Sequence, residues 1–543
     1  MAYHSAEEME KILDSYPEYR DKLYCRGFLI TNNREHNLDN EGYPFYSNWR
    51  KTLVENGNQT YSIYVHKDTY CYDYTCGKYN YFLVGHAYDP FNMKWDEDEI
   101  LKDLADAREK SEQEFWEAVS NLTGVFCLGY IYEGNVVFST DCAGMQLVYH
   151  GVSKGKLYIT SHSKLVADLL GFEQDTYIKR LVSSRFWHYW GTWLPGDRSP
   201  YLQLKRMQPN CAGKYSIQNG KIEIQRYYPF DKIEETKTEE EYQETIKELG
   251  RIMSNTMQCI ANKWPDKKVS ISVTGGRDSM TALSCTNGNY DKFSYFSYIS
   301  NYDESVDADA AKQICNHLDL EHELYEIPEE WDGYKNIDVF KKIMECNAGC
   351  IGENNYNDLK KRMYFSQNPP CDIEVKSWVN EMGRGWNYNK YNKKKFPKHP
   401  TPSYWRSMHK VYIHPWLIKK TDKIFREYLN NYYNKEVFDK ISWVELYSWE
   451  FAWSGGEGVF LTSEHRVSNE ITIPFNNRKY VEKMLTVPLE KRIVDSIPKD
   501  IIACMEPRIV ETGIVIKDIS HTNVRALVVR TYLEIFSRIH IWG

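Results

Sequence analysis

The sequence predicts two unlike parts: a β-rich α+β half built on hairpins, then an α/β half with a parallel sheet and a mostly helical C-terminal part. Three observations carry this. Short strand-like runs follow one another closely up to about Tyr228, separated by turn residues such as Gln218-Asn219-Gly220, and Asn-Gly is the strongest short hairpin signal. Beyond that point apolar strands alternate with helical stretches, which implies crossover connections and a parallel sheet. From about Asn336 the pattern is mostly helical. A chain of 543 residues is too long for one ordinary domain, and the segment Pro229-Phe230-Asp231-Lys232-Ile233, followed by charge up to residue 237, is the expected linker.

The elements come in a clear order. A polar leader over residues 1–24 precedes the strand Gly27–Thr31, with further strands at Tyr61–His66 and Tyr81–Gly85. Between Asp96 and Ser120 the spacing of Ile100, Leu101, Leu104 and Ala105, then Phe115, Trp116 and Val119, predicts one or two amphipathic helices. Strands return at Val125–Tyr132, Val136–Ser139, Gln146–Tyr149 and Lys156–Ser161, and the pair Gly213–Ile217 and Lys221–Tyr227 closes this half. The second half begins with a helix over Glu239–Lys263 and the strand Val269–Val273. A glycine loop then leads into a helix from Ser279. The strand Lys292–Ser297, an acidic helix over Asp307–Leu318 and the extended run Glu323–Ile327 continue the alternation.

Composition narrows the classes of function. The chain is 42% hydrophobic and 27% charged, a balance that suits folded cores, and its net charge of -8 argues against a broad nucleic-acid-binding surface. The basic run Lys390–Lys398 reads either as a phosphate contact or as a solvated loop, and composition favours the loop. Aromatic residues reach 15%, led by 43 Tyr, which fits aromatic-rich cores more than any particular ligand. Thirteen cysteines lie without a second CxxC, and residues 1–10 carry no apolar signal segment. No apolar run approaches membrane-spanning length. A reduced, cytoplasmic protein with structural thiols is expected.

The residues with the clearest chemistry are Thr274-Gly275-Gly276-Arg277-Asp278-Ser279, directly after an apolar strand and before a helix. Gly275 and Gly276 let the backbone approach phosphate oxygens and take turns closed to other residues. The helix that follows offers free amides and its positive dipole end. Thr274 and Ser279 add hydroxyls, with Ser272 just before them, and Asp278 suits a magnesium ion (Mg2+). Arg277 either adds charge or faces outward.

This loop resembles the SGGxDS motif of the PP-loop ATP pyrophosphatases, with Thr274 in place of the first serine. The resemblance implies binding of ATP and cleavage between its α and β phosphates. It differs from the Walker A pattern. In the first half, Gly124-Val125-Phe126-Cys127-Leu128-Gly129-Tyr130 and Asp141-Cys142-Ala143-Gly144-Met145-Gln146-Leu147-Val148-Tyr149 resemble the glutaminase domain of asparagine synthetases. So do Leu157–Lys164, Lys205–Pro209 and Arg226-Tyr227-Tyr228, with His162 where that family usually has an acid. Asparagine synthetase, β-lactam synthetase and lasso-peptide cyclases share this two-domain plan. It implies an Ntn-hydrolase-like αββα sandwich over 25–230, then a PP-loop domain over 238–543.

Departures qualify what the resemblance implies. An active glutaminase of this kind needs cysteine directly after Met1, since its free α-amine is the base. Here Ala2 follows, and the matching Cys25-Arg26-Gly27 lies behind the leader, so glutamine hydrolysis is not expected without cleavage after Tyr24. In the second half, Val379-Asn380-Glu381-Met382-Gly383-Arg384-Gly385 falls where the family has SGEGADE. Glu381 matches a glutamate that positions or deprotonates the amine, or it is a plain loop residue. Arg384 replaces a second magnesium ligand, and either neutralises pyrophosphate or marks a degraded site. Glu464-His465-Arg466 and Ile473–Asn477 resemble a later family segment. The family's pyrophosphate-stabilising lysine aligns with Glu506, leaving Lys499 and Arg508 as cationic substitutes. Ser454-Gly455-Gly456-Glu457-Gly458 reads as a helix break more readily than as a second phosphate loop.

The resulting expectation is an ATP-dependent amide ligase acting on small-molecule or peptide carboxylates and amines. Membranes and nucleic acid are not expected as partners, and self-association as a homodimer is left open. Two rivals are a catalytically degenerate ATP-binding protein for regulation or assembly, and a PP-loop enzyme that modifies RNA.

Overall fold

The computed structural model of the chain describes residues 4–33, 42–184, 187, 193–349, 356–514 and 523–539. Met1 and Ala2, on which the argument about a free N-terminal cysteine turns, lie outside the described residues.

The first half supplies twelve strands among those residues. They begin with β1 (Phe28–Thr31), β2 (Trp49–Asn56), β3 (Gln59–His66), β4 (Cys71–Cys76), β5 (Tyr79–Tyr88) and β6 (Thr123–Tyr132). They continue with β7 (Asn135–Thr140), β8 (Tyr149–Ser153), β9 (Lys156–Thr160), β10 (Lys205–Arg206), β11 (Cys211–Ser216) and β12 (Lys221–Arg226). Two six-stranded sheets result, ordered β10-β8-β9-β1-β3-β2 and β12-β11-β7-β6-β5-β4. Every neighbouring pair is antiparallel.

Turn chemistry sets the registers. Between β6 and β7, Glu133 and Gly134 both take positive φ (49° and 75°), and Lys154 and Gly155 repeat this between β8 and β9 (49° and 73°). Such two-residue turns match the natural twist of the strands they join. The expected strand at Gln146 begins only at Tyr149, because the amides of Met145 and Gln146 are spent on the Asp141 carboxylate at 2.9 and 2.6 Å.

Side-chain alternation decides the layers. In β5, Phe82 and Val84 join Phe28, Ile30, Ile63 and Ile159 of the other sheet in one apolar core. Their neighbours Tyr81 and Leu83 instead meet Ile100, Leu104, Phe115 and Val119, on the helices Glu97–Lys110 and Glu112–Asn121. On the other flank Leu29, Tyr64 and Tyr158 pack with Leu165 and Phe340, carried by the helices Ser163–Leu170 and Ile337–Asn347.

The second half contains a five-stranded parallel sheet. Its strands are β13 (Val269–Ser272), β14 (Ser294–Ile299), β15 (His322–Glu326), β16 (Ile373–Val375) and β17 (Glu470–Thr472), ordered β15-β14-β13-β16-β17. The chain steps outward from β13 through β14 to β15, then returns to place β16 and β17 on the opposite side. That reversal opens a crevice at the C-terminal end of β13. The long helix Glu239–Lys263 buries a stripe that includes Ile246, Leu249, Met253 and Met257. Its start is capped by Thr238 and favoured by three glutamates in the first turn.

The halves are tied by buried polar contacts. Arg226 grips Glu450 with two 2.7 Å bonds, and Trp449 donates its indole N–H to the Cys142 carbonyl at 2.7 Å. The expected helix break at Ser454–Gly458 does not occur. A π-helix over Tyr447–Glu457 runs directly into the helix Gly458–Ser463. Close packing accounts for Gly458, because a side chain there would lie 2.4 Å from the Gly144 carbonyl oxygen. The segment 229–237 is not a free tether either: Ile233 N–H donates to the Lys440 carbonyl and Thr236 N–H to the Thr486 carbonyl.

The leader is folded. Ser5 caps the helix Ala6–Ser15, whose Met9 and Leu13 are buried. The Tyr24 amide donates to the Asn347 side chain at 2.7 Å.

Candidate functional site: a loop–helix crevice on the parallel sheet

The loop after β13 sits at the crevice. The helix that follows spans Arg277–Ser284, with Gly276 as N-cap and no side-chain cap, so its first-turn amides are open to an anion. Thr274 and Ser279 brace the loop. The Ser279 hydroxyl accepts from the Thr274 amide at 3.1 Å and lies 3.0 Å from the Thr274 hydroxyl, while Thr274 Oγ1 accepts from the Gly276 amide at 3.1 Å. Neither glycine takes positive φ, which corrects the expectation of turns closed to other residues. Gly275 is needed for space: an added Cβ would stand 3.0 Å from Ala310 Cβ and 3.2 Å from Asp307 Oδ1.

The loop opens into a cavity of about 290 Å³. Ser272, Thr274, Gly276, Asp278, Ser279 and Glu381 all contribute to its wall. So do Phe296, Tyr298, Glu304, Lys376 and Trp378, which the sequence reading passed over. Lys376 directly follows the short strand Ile373-Glu374-Val375 and so stands at a strand's C-terminal end. Its ammonium pairs with Glu374 at 3.2 Å and lies 5.0 Å from the Trp378 ring centre. Ser272 also hydrogen-bonds Glu374.

Asp278 is held on both oxygens. Asn380 donates to Oδ1 and Arg384 to Oδ2, each at 2.8 Å. Arg384 also binds Asp495 through Nε at 2.6 Å and Nη2 at 3.0 Å, and Arg277 reaches Asp495 at 2.8 Å. Arg277 therefore faces this network rather than solvent. The carboxylate expected to hold magnesium is already neutralised by a guanidinium, so these residues do not fit a protein-held magnesium ion at Asp278.

Burial pushes the Asp278 carboxyl up despite Arg384 and Asn380. Burial and the neighbouring Asp278 charge raise Glu381 well above the usual range for a glutamate. Glu381 Oε2 is buried and has no hydrogen-bond partner among the described residues. Glu381 as a whole is half-buried, so one of its oxygens is shielded in the cavity wall while the residue keeps some exposure.

The structure does not bring the two proposed cationic substitutes to this cavity. Arg508 is 42% exposed and is paired with Glu506 at 2.7 Å. Glu506 itself accepts from the Tyr290 hydroxyl at 2.6 Å. Lys499 is exposed and bonds the Val494 carbonyl at 3.0 Å. Arg384 acts on Asp278 and Asp495 from outside the cavity wall.

Cys25 is buried at 5% exposure, and burial raises its thiol pKa. Its Sγ lies with His66 and Asp68 in one cluster. Freeing its α-amine by cleavage after the fully buried Tyr24 would require the leader to unfold.

No known family description matches the sequence, and no curated protein matches it. Structural comparison finds distant likenesses. One is an allosteric regulatory enzyme of purine biosynthesis: 11% identity over 50% of this chain and 59% of that one, TM-score 0.23. Another is the glutamine phosphoribosylpyrophosphate amidotransferase of B. subtilis, in complex with ADP and GMP: 9% identity, 54% and 63% coverage, TM-score 0.22. A third is the glutamine-dependent NAD+ synthetase of Acinetobacter baumannii with bound ADP: 11% identity, 45% and 49% coverage, TM-score 0.17. The matched regions span less than two thirds of each of those chains. At these scores the likenesses transfer no function. Among the described residues no helix is long and apolar enough to cross a membrane.

Proposed function

We propose that the chain binds ATP in the Thr274–Ser279 crevice and uses it to join a carboxylate to an amine, with release of AMP and pyrophosphate. The observation that carries this reading is the uncapped loop–helix junction at the reversal of a parallel sheet, opening into a cavity that a half-buried glutamate also lines. Open amides and the helix dipole stabilise phosphate oxygens. Glu381, whose buried Oε2 lacks a hydrogen-bond partner among the described residues, suits an incoming amine.

In the reaction a carboxylate oxygen attacks the α-phosphorus and pyrophosphate departs. The amine then attacks the acyl carbon, and AMP leaves with the electron pair of the carbon–oxygen bond. Glu381 accepts the amine proton, a role that its raised proton affinity serves. We read the two antiparallel sheets as an Ntn-type glutaminase fold whose Cys25 is buried behind the helix Ala6–Ser15, so ammonia is not made there.

A second reading is favoured by one observation: the Arg384 lock on Asp278 suits a protein that keeps ATP without turning it over. Titration calorimetry with ATP tests binding. Assay of pyrophosphate and AMP across acid–amine panels tests turnover. Binding with product release supports ligation, binding with silence across the panels supports the second reading, and absence of binding removes both. Release that depends on RNA would point instead to an RNA-modifying enzyme.

A further inference from the structure

Glu381 belongs to two cavities. One is the loop crevice; the other is a cavity of about 320 Å³ walled by Trp193, Trp386, Tyr447 and Trp453, with Lys390 and Glu457 among its polar groups. That volume is at the lower end of small-molecule sites, roughly 300–1,000 Å³. Glu381 is the wall residue common to both, so a molecule in either cavity lies against it.

The walls and charges define a chemistry. Three indoles and a phenol offer broad flat faces, which favour a flat apolar body over a small, wholly polar one. Lys390 lines the second cavity and not the crevice. Burial, with Arg525 adding like-charge repulsion, lowers its pKa to about 8. No carboxylate of the described residues is bonded to it. A half-buried ammonium in that position gains when an anion arrives. At the junction the need is reversed: Glu381 Oε2 has no hydrogen-bond partner among the described residues, and the nearby Glu457 adds negative charge.

We infer that this second cavity is the acceptor site, and that it takes a primary amine on a flat apolar body with an anionic group remote from the amine. The amine meets Glu381, the body lies between the indoles, and the anion pairs with Lys390. That the bound amine is the group joined in the reaction rests on the ligation reading; binding itself does not.

The test uses the full chain and its tryptophan fluorescence, titrated with 4-(aminomethyl)benzoate and, separately, with its neutral amide 4-(aminomethyl)benzamide. The expected result is saturable quenching by the acid, about ten-fold or more tighter than by the amide. Lys390→Met should abolish that difference and Lys390→Arg should keep it, while Glu381→Gln should weaken both ligands. Equal affinities of the unaltered chain for acid and amide, or no saturable change, overturn the inference even if Lys390→Met fails to fold. ATP affinity is measured by calorimetry on the same samples. Acid binding without ATP binding would leave this inference standing and sink the ligation reading, and the converse would do the opposite.

Discussion

Arg384 and Asp278 form a 2.8 Å ion pair, and the same guanidinium grips Asp495 with two further bonds. Both carboxylates are largely shielded, at 19% and 13% exposure. Arg384→Ala should therefore leave two crowded acids and lower stability by about 3 kcal/mol, the usual cost of breaking a buried pair. It should also free Asp278 for a cation. Calorimetry with Mn2+ alone should detect binding in Arg384→Ala and none in the unaltered chain. Tight binding to the unaltered chain that Asp278→Asn removes would contradict the arrangement described.

The two loop glycines should respond differently. Gly275→Ala drives a methyl against Ala310 and Asp307, and should cost about 1–3 kcal/mol as an overpacked site. Gly276→Ala meets only the Thr274 hydroxyl, at 3.1 Å, and should be the milder change. Urea denaturation midpoints of the two variants check the ranking, and calorimetry with ATP should show the larger loss for Gly275→Ala.

Arg226 and Glu450 cross from one half to the other. Glu450 is fully buried and also accepts from Asn210 at 2.9 Å and Tyr433 at 2.6 Å. Arg226→Met should destabilise the chain by about 3–5 kcal/mol, because it strands a buried carboxylate. Adding Glu450→Leu should recover part of that loss. If the double variant melts no higher than the single one, the penalty does not come from the stranded charge.

Acid should weaken the fold before most carboxylates titrate. Burial lowers His86 and His162 to about 3, and His66 and His150 to about 4. These values lie below the unfolded value of about 6.5, so the unfolded chain takes up more protons. The stability they contribute is complete above about pH 6.5 and is lost as pH falls through the window down to 3–4. The slope is up to about 1.4 kcal/mol per pH unit for each histidine. Urea midpoints measured from pH 8 to pH 5 should be flat above 6.5 and fall steeply below it.

Strands and helices with strong local signals were legible in the chain. The turn Glu133-Gly134 and the stripe of Glu239–Lys263 announce themselves because backbone preference and amphipathic spacing act over a few residues. The edge strands β2 and β4 were not marked. Each lies at the rim of its sheet; β2 keeps many exposed positions and β4 has none that is fully buried, so neither carries a strong apolar run. The second cavity was invisible, because Trp193, Lys390 and Trp453 are far apart in sequence.

By itself, then, the sequence determined that a glycine loop follows an apolar strand and opens a helix, because Thr274–Ser279 is a local device whose parts are neighbours. Only the tertiary structure decided what that loop faces. Asp278 looked like a metal ligand until Arg384, Asn380 and Asp495 came together around it from remote segments. Glu381 reads in the sequence as an amine-positioning acid or a plain loop residue, and only the fold sets its Oε2 away from solvent in the wall of two cavities. Local geometry is written in adjacent residues, whereas the charge and solvation of a site depend on everything folded against it.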